Sequence, residues 1–154
     1  MSETHRINSQ LKRAYQGEAW HGPSLRELLA DVTAAQAAAK PVPTVHSIWE
    51  LAHHIIAWET VVRRRLAGEV VTDIPDEVNF PVINDASEAA WQESLQALAA
   101  SNQALRDSIK QFDETRLDEI VPGMNYSHYF MLHGTIQHDL YHAGQIALLK
   151  KLVA

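Results

Sequence analysis

Apolar residues recur at helical spacing along most of the chain, and the stretches that carry this spacing are separated by glycines and prolines. Residues 3–17 read as an amphipathic helix ended by Gly17. Trp20-His21-Gly22-Pro23 then breaks the chain, and Pro23 suits the opening turn of a second helical piece that runs to about Val32. Lys40-Pro41-Val42-Pro43 is a linker. Ser47, with Glu50 three residues on, makes a capping box that opens a helix to about Ala67-Gly68. Residues 69–84 contain Pro75 and Pro81 and read as a long loop with room for a short strand. Asp85 and Glu88 offer a second capping box for a helix to about Phe112. After the break at Pro122-Gly123, Ser127 caps a last helix to Leu152, whose Lys150 and Lys151 suit the negative end of its dipole. Runs of strand-like alternation are missing. Four long helices and one broken element predict an all-α bundle, with residues 1–154 as a single domain.

The last helix carries His138-Asp139-Leu140-Tyr141-His142. Histidines at i and i+4 lie one above the other on a helix and can share a metal ion. With Phe130 at zero and ~100° per residue, His138 falls near ~80° and His142 near ~120°, among Met131, Thr135, Gln145, Ile146 and Leu149. The pair therefore looks inward, and His133, near ~300°, does not. On the 47–66 helix, the apolar stripe Ile48, Leu51, Ile55, Trp58, Val62 and Leu66 centres near ~320° with Ile48 at zero. His54 lies about 80° from that centre and His53 about 180°, so His54 is the expected third ligand and His53 is expected in solvent. Glu59, near the apolar stripe, and Gln145, one turn beyond His142, are candidate acceptors for a ligand N–H. Trp20, His21 and Trp58 are candidate pocket residues. Gly144 in mid-helix suggests a close backbone approach. His5, His46, His53 and His128 read as surface or helix-end residues, and Arg63-Arg64-Arg65 as a solvated helix end.

Leu132, Ile136, Leu140, Ala143 and Ala147 form a second apolar line on the last helix, between ~200° and ~280°. Either the 23–39 segment covers this line or a second copy of the chain does, and a homodimer is the expectation drawn from it.

Composition narrows the chemistry. The chain has 154 residues and no cysteine, which excludes disulfides, thiolate ligands and a cysteine nucleophile. This fits a reducing compartment, and a cytoplasmic location is expected. No apolar leader and no membrane-length run is visible. A formal net charge of −6 argues against a nucleic-acid partner. Nine histidines, seven of them within residues 46–142, are the unusual feature. Three neutral imidazoles leave an ion open positions, the pattern of a catalytic centre rather than a structural one. A di-iron bundle would use Glu-x-x-His on two helices. Here Glu18-x-x-His21 runs into Gly22-Pro23, Glu50-x-x-His53 has the wrong phase, and the last helix has no glutamate.

His138-x-x-x-His142-x-Gly144-Gln145, together with Ser47-Ile48-Trp49-Glu50-Leu51 and His54-Ile55-Ile56-Ala57-Trp58-Glu59, resembles the motifs of the DinB-like (damage-inducible) metalloprotein family. Trp20-His21-Gly22-Pro23 resembles one branch of it. The resemblance implies an up-down-down-up four-helix bundle, its first helix broken near residues 20–23. It also implies a three-histidine site for one zinc, nickel or similar divalent ion per chain, and frequent dimers. It maps the ligands onto His54, His138 and His142. Some relatives are metal-dependent thiol S-transferases or thiol-dependent isomerases. The expectation is a metal-dependent transferase or hydrolase acting on a small molecule, with a low-molecular-weight thiol as a candidate substrate, through a metal-activated water or substrate thiol. The alternative is a non-catalytic dimeric metal-binding structural or sensor protein.

Overall fold

The computed structural model describes residues 1–154, and the protein is helical with no β-strand. Four long helices dominate: α1 (Glu3–Gln16), α4 (Ile48–Leu66), α6 (Glu88–Gln111) and α7 (His128–Leu152). Three short ones lie between them: α2 (Leu25–Leu29), α3 (Ala34–Ala38) and α5 (Asp76–Asn79). α1 and α4 each pack against both α6 and α7, so the long helices form a closed ring around one interior. No helix is long and apolar enough to cross a membrane.

Side-chain caps set most of the helix starts. Ser47 and Glu50 form the expected capping box on α4, and Ser127 accepts from the Phe130 amide at the start of α7. Two starts differ from the sequence reading. α2 begins at Leu25, capped by Ser24 in a box with Glu27, so Pro23 precedes the cap instead of standing in the opening turn. Ser87, not Asp85, caps α6, because Asp85 turns to accept from the Ser87 amide and Glu88 reaches across to the Ala34 amide. α3, opened by a Thr33–Gln36 box, lies beyond the helical piece predicted to end at about Val32, in a stretch for which the sequence predicts no separate helix. The 69–84 loop holds one helical turn, α5, instead of a strand.

The interior has two apolar clusters. One gathers Leu25, Leu29, Trp49, Ile55, Trp91, Leu98 and Ile146. The other gathers Ile7, Leu11, Val62, Leu66, Leu105, Ile109, Leu132 and Ile136. Between them in sequence, α4, α6 and α7 contribute buried polar residues that include Glu59, Asn102 and Asp139.

The second line of α7 belongs to this core. Leu132, Ile136 and Ala143 are buried, and Leu140 packs against the second cluster. α1 and α2 both lie against α7, so elements of the same chain cover the line. The apolar side chains that α7 leaves in solvent are Tyr129, Phe130, Tyr141, Leu148 and Leu152. Leu132→Ala should therefore lower the free energy of urea unfolding by about 3 kcal/mol through the cavity it leaves, while Tyr129→Ser, at a solvent-facing position, should change it by less than about 1 kcal/mol. Equal effects of the two substitutions would contradict this division of the helix.

Candidate metal centre

α4 and α7 face each other at mid-length, and three histidines meet there. His138 Nε2 lies 3.1 Å from His54 Nε2 and 3.1 Å from His142 Nε2. The nitrogens that the three rings can offer to one ion lie within 4.8 Å of one another. His54 and His142 are buried and His138 keeps an exposed edge.

Protons on the far sides of the rings decide whether these nitrogens can bind a cation. Asn79, at the end of α5, turns its Oδ1 to two groups, His54 Nδ1 at 2.7 Å and Trp58 Nε1 at 3.0 Å. The indole N–H can only donate, so the atom facing it is the amide oxygen. The same oxygen can only accept from His54, which places the proton on Nδ1 and the lone pair on Nε2. His142 Nδ1 faces Gln145 Oε1 at 2.6 Å, with the same result. His138 Nδ1 faces Asp139 Oδ1 at 3.5 Å. His138 Nδ1 makes no hydrogen bond, whereas His54 and His142 both direct Nε2 lone pairs at His138 Nε2, so three ring nitrogens converge in an arrangement that a divalent ion would satisfy. Burial also holds the imidazoles neutral. It lowers His54 to about 4, helped by the neighbouring histidines, and His138 to about 4; it lowers His142 as well.

An aromatic stack supports His54 from the α5 side. Phe80 lies parallel to the His54 ring at 4.3 Å, and His46 lies on the other face of Phe80 at 3.7 Å. Phasing did not select Asn79, Phe80 or Asp139. The first two sit in a segment with no long period, and only the fold brings it onto α4. Asp139 had a visible signal, its place directly beside a ligand.

Several expectations are corrected. Glu59 makes no hydrogen bond to a ligand. It lies about 140° around the helix from His54 and accepts from Asn102 on α6. Burial and the nearby Asp139 raise its pKa well above the usual carboxylate range, and burial raises Asp139 too. Trp20 is fully exposed, and with His21 it lines a groove beside α1, Ile136 and Leu140, on the other side of α7 from the ligands. Trp58 does adjoin the site, with its ring 6.2 Å from that of His138. His53 is not in solvent: its Nε2 lies 3.0 Å from Ser94 Oγ, against α6. The error arises because α4 touches both α6 and α7, so a single apolar stripe under-describes what it buries. His128 is buried, with Nδ1 3.0 Å from the Glu119 carbonyl. Arg65 is also buried, leaving Arg63 and Arg64 as the exposed members of the basic run. Gly144 meets nothing of its own chain, since a Cβ built there has open space around it.

The DinB superfamily profile matches residues 19–146, and the chain belongs to this family. Among solved structures it resembles a conserved protein from Enterococcus faecalis, with a TM-score of 0.71 and 20% sequence identity over 99% of this chain and 98% of that one. At that identity the likeness speaks for the fold alone. No curated protein matches the chain.

The site makes a direct prediction about metal content. Protein purified without chelator should carry about one divalent ion per chain by elemental analysis, and His54→Ala, His138→Ala and His142→Ala should each lose it, while His53→Ala should retain it. Full occupancy in any of the first three would remove that residue from the ligand set. In metal-free protein all three histidines have lowered folded pKa values, to about 4 for His54 and His138, so the unfolded chain binds more protons as pH falls below its own value near 6.5. Their contribution to stability is therefore full above about 6.5 and is lost as pH falls towards 4, which acid denaturation of the apo protein should show.

Proposed function

We propose that the chain is a metal-dependent enzyme of the thiol S-transferase or hydrolase type, acting on a small molecule with one zinc or nickel ion per chain. The observation that carries this reading is the convergence of three histidine Nε2 atoms beside an open cavity. Three imidazole nitrogens suit zinc or nickel and leave coordination positions free. His138 and Trp58 line a cavity of about 200 Å³, so a small molecule can reach the ligand set from that side. A divalent ion held there would supply Lewis acidity and lower the pKa of a water or thiol. The protein supplies the rest. Asn79 and Gln145 hold His54 and His142 in the tautomer that presents Nε2, the Phe80 ring keeps His54 in place, and Trp58 stands beside His138 at the cavity wall.

A homodimer is part of the proposal, on a different face from the one the sequence suggested. With Phe130 at zero, Tyr141, Gly144, Leu148 and Leu152 fall within about 40° of it, and all four large side chains are more than half exposed. This line runs beside the ligand direction, and Gly144 leaves space for a close approach by a second copy. Sedimentation should give a dimer mass that Tyr141→Glu with Leu148→Glu reduces to a monomer; a monomeric parent protein would end this part of the reading.

The activity test is a screen of the metal-loaded protein with low-molecular-weight thiols and electrophiles. Turnover should disappear on chelation and return with added ion, while far-UV circular dichroism stays helical. A chelated protein that unfolds, with no turnover in the loaded form, would instead favour a structural or sensing role for the ion.

A further inference from the structure

Arg65 is the buried charge for which the metal centre gives no account. It lies in the last turn of α4 and is only 3% exposed. Nε and Nη2 donate to the Val71 carbonyl at 2.9 and 2.6 Å, and Nη1 donates to the Tyr126 hydroxyl at 2.9 Å. None of the ion pairs in the protein includes it. A buried guanidinium with no carboxylate is costly unless something else compensates it. The guanidinium stands 5.9 Å from the Trp58 ring, and together with Tyr126 it lines the same 200 Å³ cavity that His138 borders. The rest of the wall is mostly apolar, with Val62, Phe130 and Met131; Thr135 also lines it but donates its hydroxyl to the Met131 carbonyl, and Gly134 adds no side chain. Tyr126 accepts from Arg65, so its own O–H remains to be donated.

We propose that this cavity recognises a small organic carboxylate: Arg65 and Tyr126 bind the carboxylate, the apolar body lies against Trp58, Phe130 and Met131, and the reactive end faces His138. The inference deepens the proposed function and rests on it for the reactive end, but the carboxylate subsite uses none of the metal ligands. Tying the 69–75 segment to α4 requires only the two bonds to Val71. The Nη1–Tyr126 pair and the absence of an acidic partner are what a ligand carboxylate would complete, with charge-assisted hydrogen bonds from a planar donor.

The test uses 3-phenylpropionate and the uncharged 3-phenyl-1-propanol as probes, titrated calorimetrically into the full chain, once metal-loaded and once chelated. The acid should bind at least about tenfold more tightly than the alcohol in both forms, the difference expected of a charge-assisted contact. Arg65→Gln should reduce this preference to less than about twofold, and Tyr126→Phe should weaken acid binding several-fold. Phe130→Glu places a competing carboxylate in the cavity from a position 65% exposed, and it should also abolish the preference. It serves as the deciding variant if Arg65→Gln fails to fold. No preference in the parent protein, or a preference that survives Phe130→Glu, would overturn the proposal. So would a preference that vanishes on chelation, because the carboxylate would then be binding the ion. A protein that takes up no metal yet still prefers the acid would sink the metal reading and leave this one standing.

Discussion

The contact between α4 and α7 is the constraint on which the site depends. One histidine comes from α4 and two come from successive turns of α7, so their nitrogens converge only if the two helices keep one axial register and one rotation. That register is held by apolar packing on both sides of the site. Ile55, Trp49 and Ile146 lie in one cluster, and Val62, Leu132 and Ile136 lie in the other. Close-packed clusters of this kind resist sliding, because a shift of even one methylene is felt throughout them. The histidine rings can therefore be brought together at an energetic cost that the core covers.

Between the clusters the bundle carries polar groups that an apolar layer would have made more stable. Glu59, Asn102 and Asp139 are buried, and Glu59 Oε2, Asn102 Oδ1 and Asp139 Oδ1 lack hydrogen-bond partners. Burial favours the neutral form of both carboxyls, which lessens the penalty of keeping two of them close. This layer stands directly behind His138, since Asp139 is its neighbour in sequence and faces its Nδ1. Polar residues retained at such cost cluster where a protein has chemistry to support.

The access side is built differently. Trp58 links the two halves of the site: its indole N–H fixes the Asn79 oxygen, and its ring stands near both His138 and Arg65. One side chain thus sets the tautomer of a ligand and forms part of the cavity wall. Arg65 in turn joins the 69–75 segment to the α4 end, so the loop that leads to Asn79 is tethered to the helix whose histidine Asn79 orients.

Local pattern by itself determined the long helices, their caps at Ser47 and Ser127, and the choice of His54, His138 and His142 as inward-facing histidines. These follow from interactions within four residues and from a single helical period, which the chain displays directly. The same reasoning placed His53 and Arg65 in solvent, took Glu59 for a partner of the ligands and put a dimer on the Leu132–Ala147 line. Each of these depends on what lies on the far side of a helix. α4 is enclosed by more than one neighbour, α7 is covered by α1 and α2, and the one-turn helix carrying Asn79 is brought onto His54 from twenty-five residues away. Only the tertiary structure decides such matters, because a helix period records how many faces are apolar but not which neighbour, or water, each face meets.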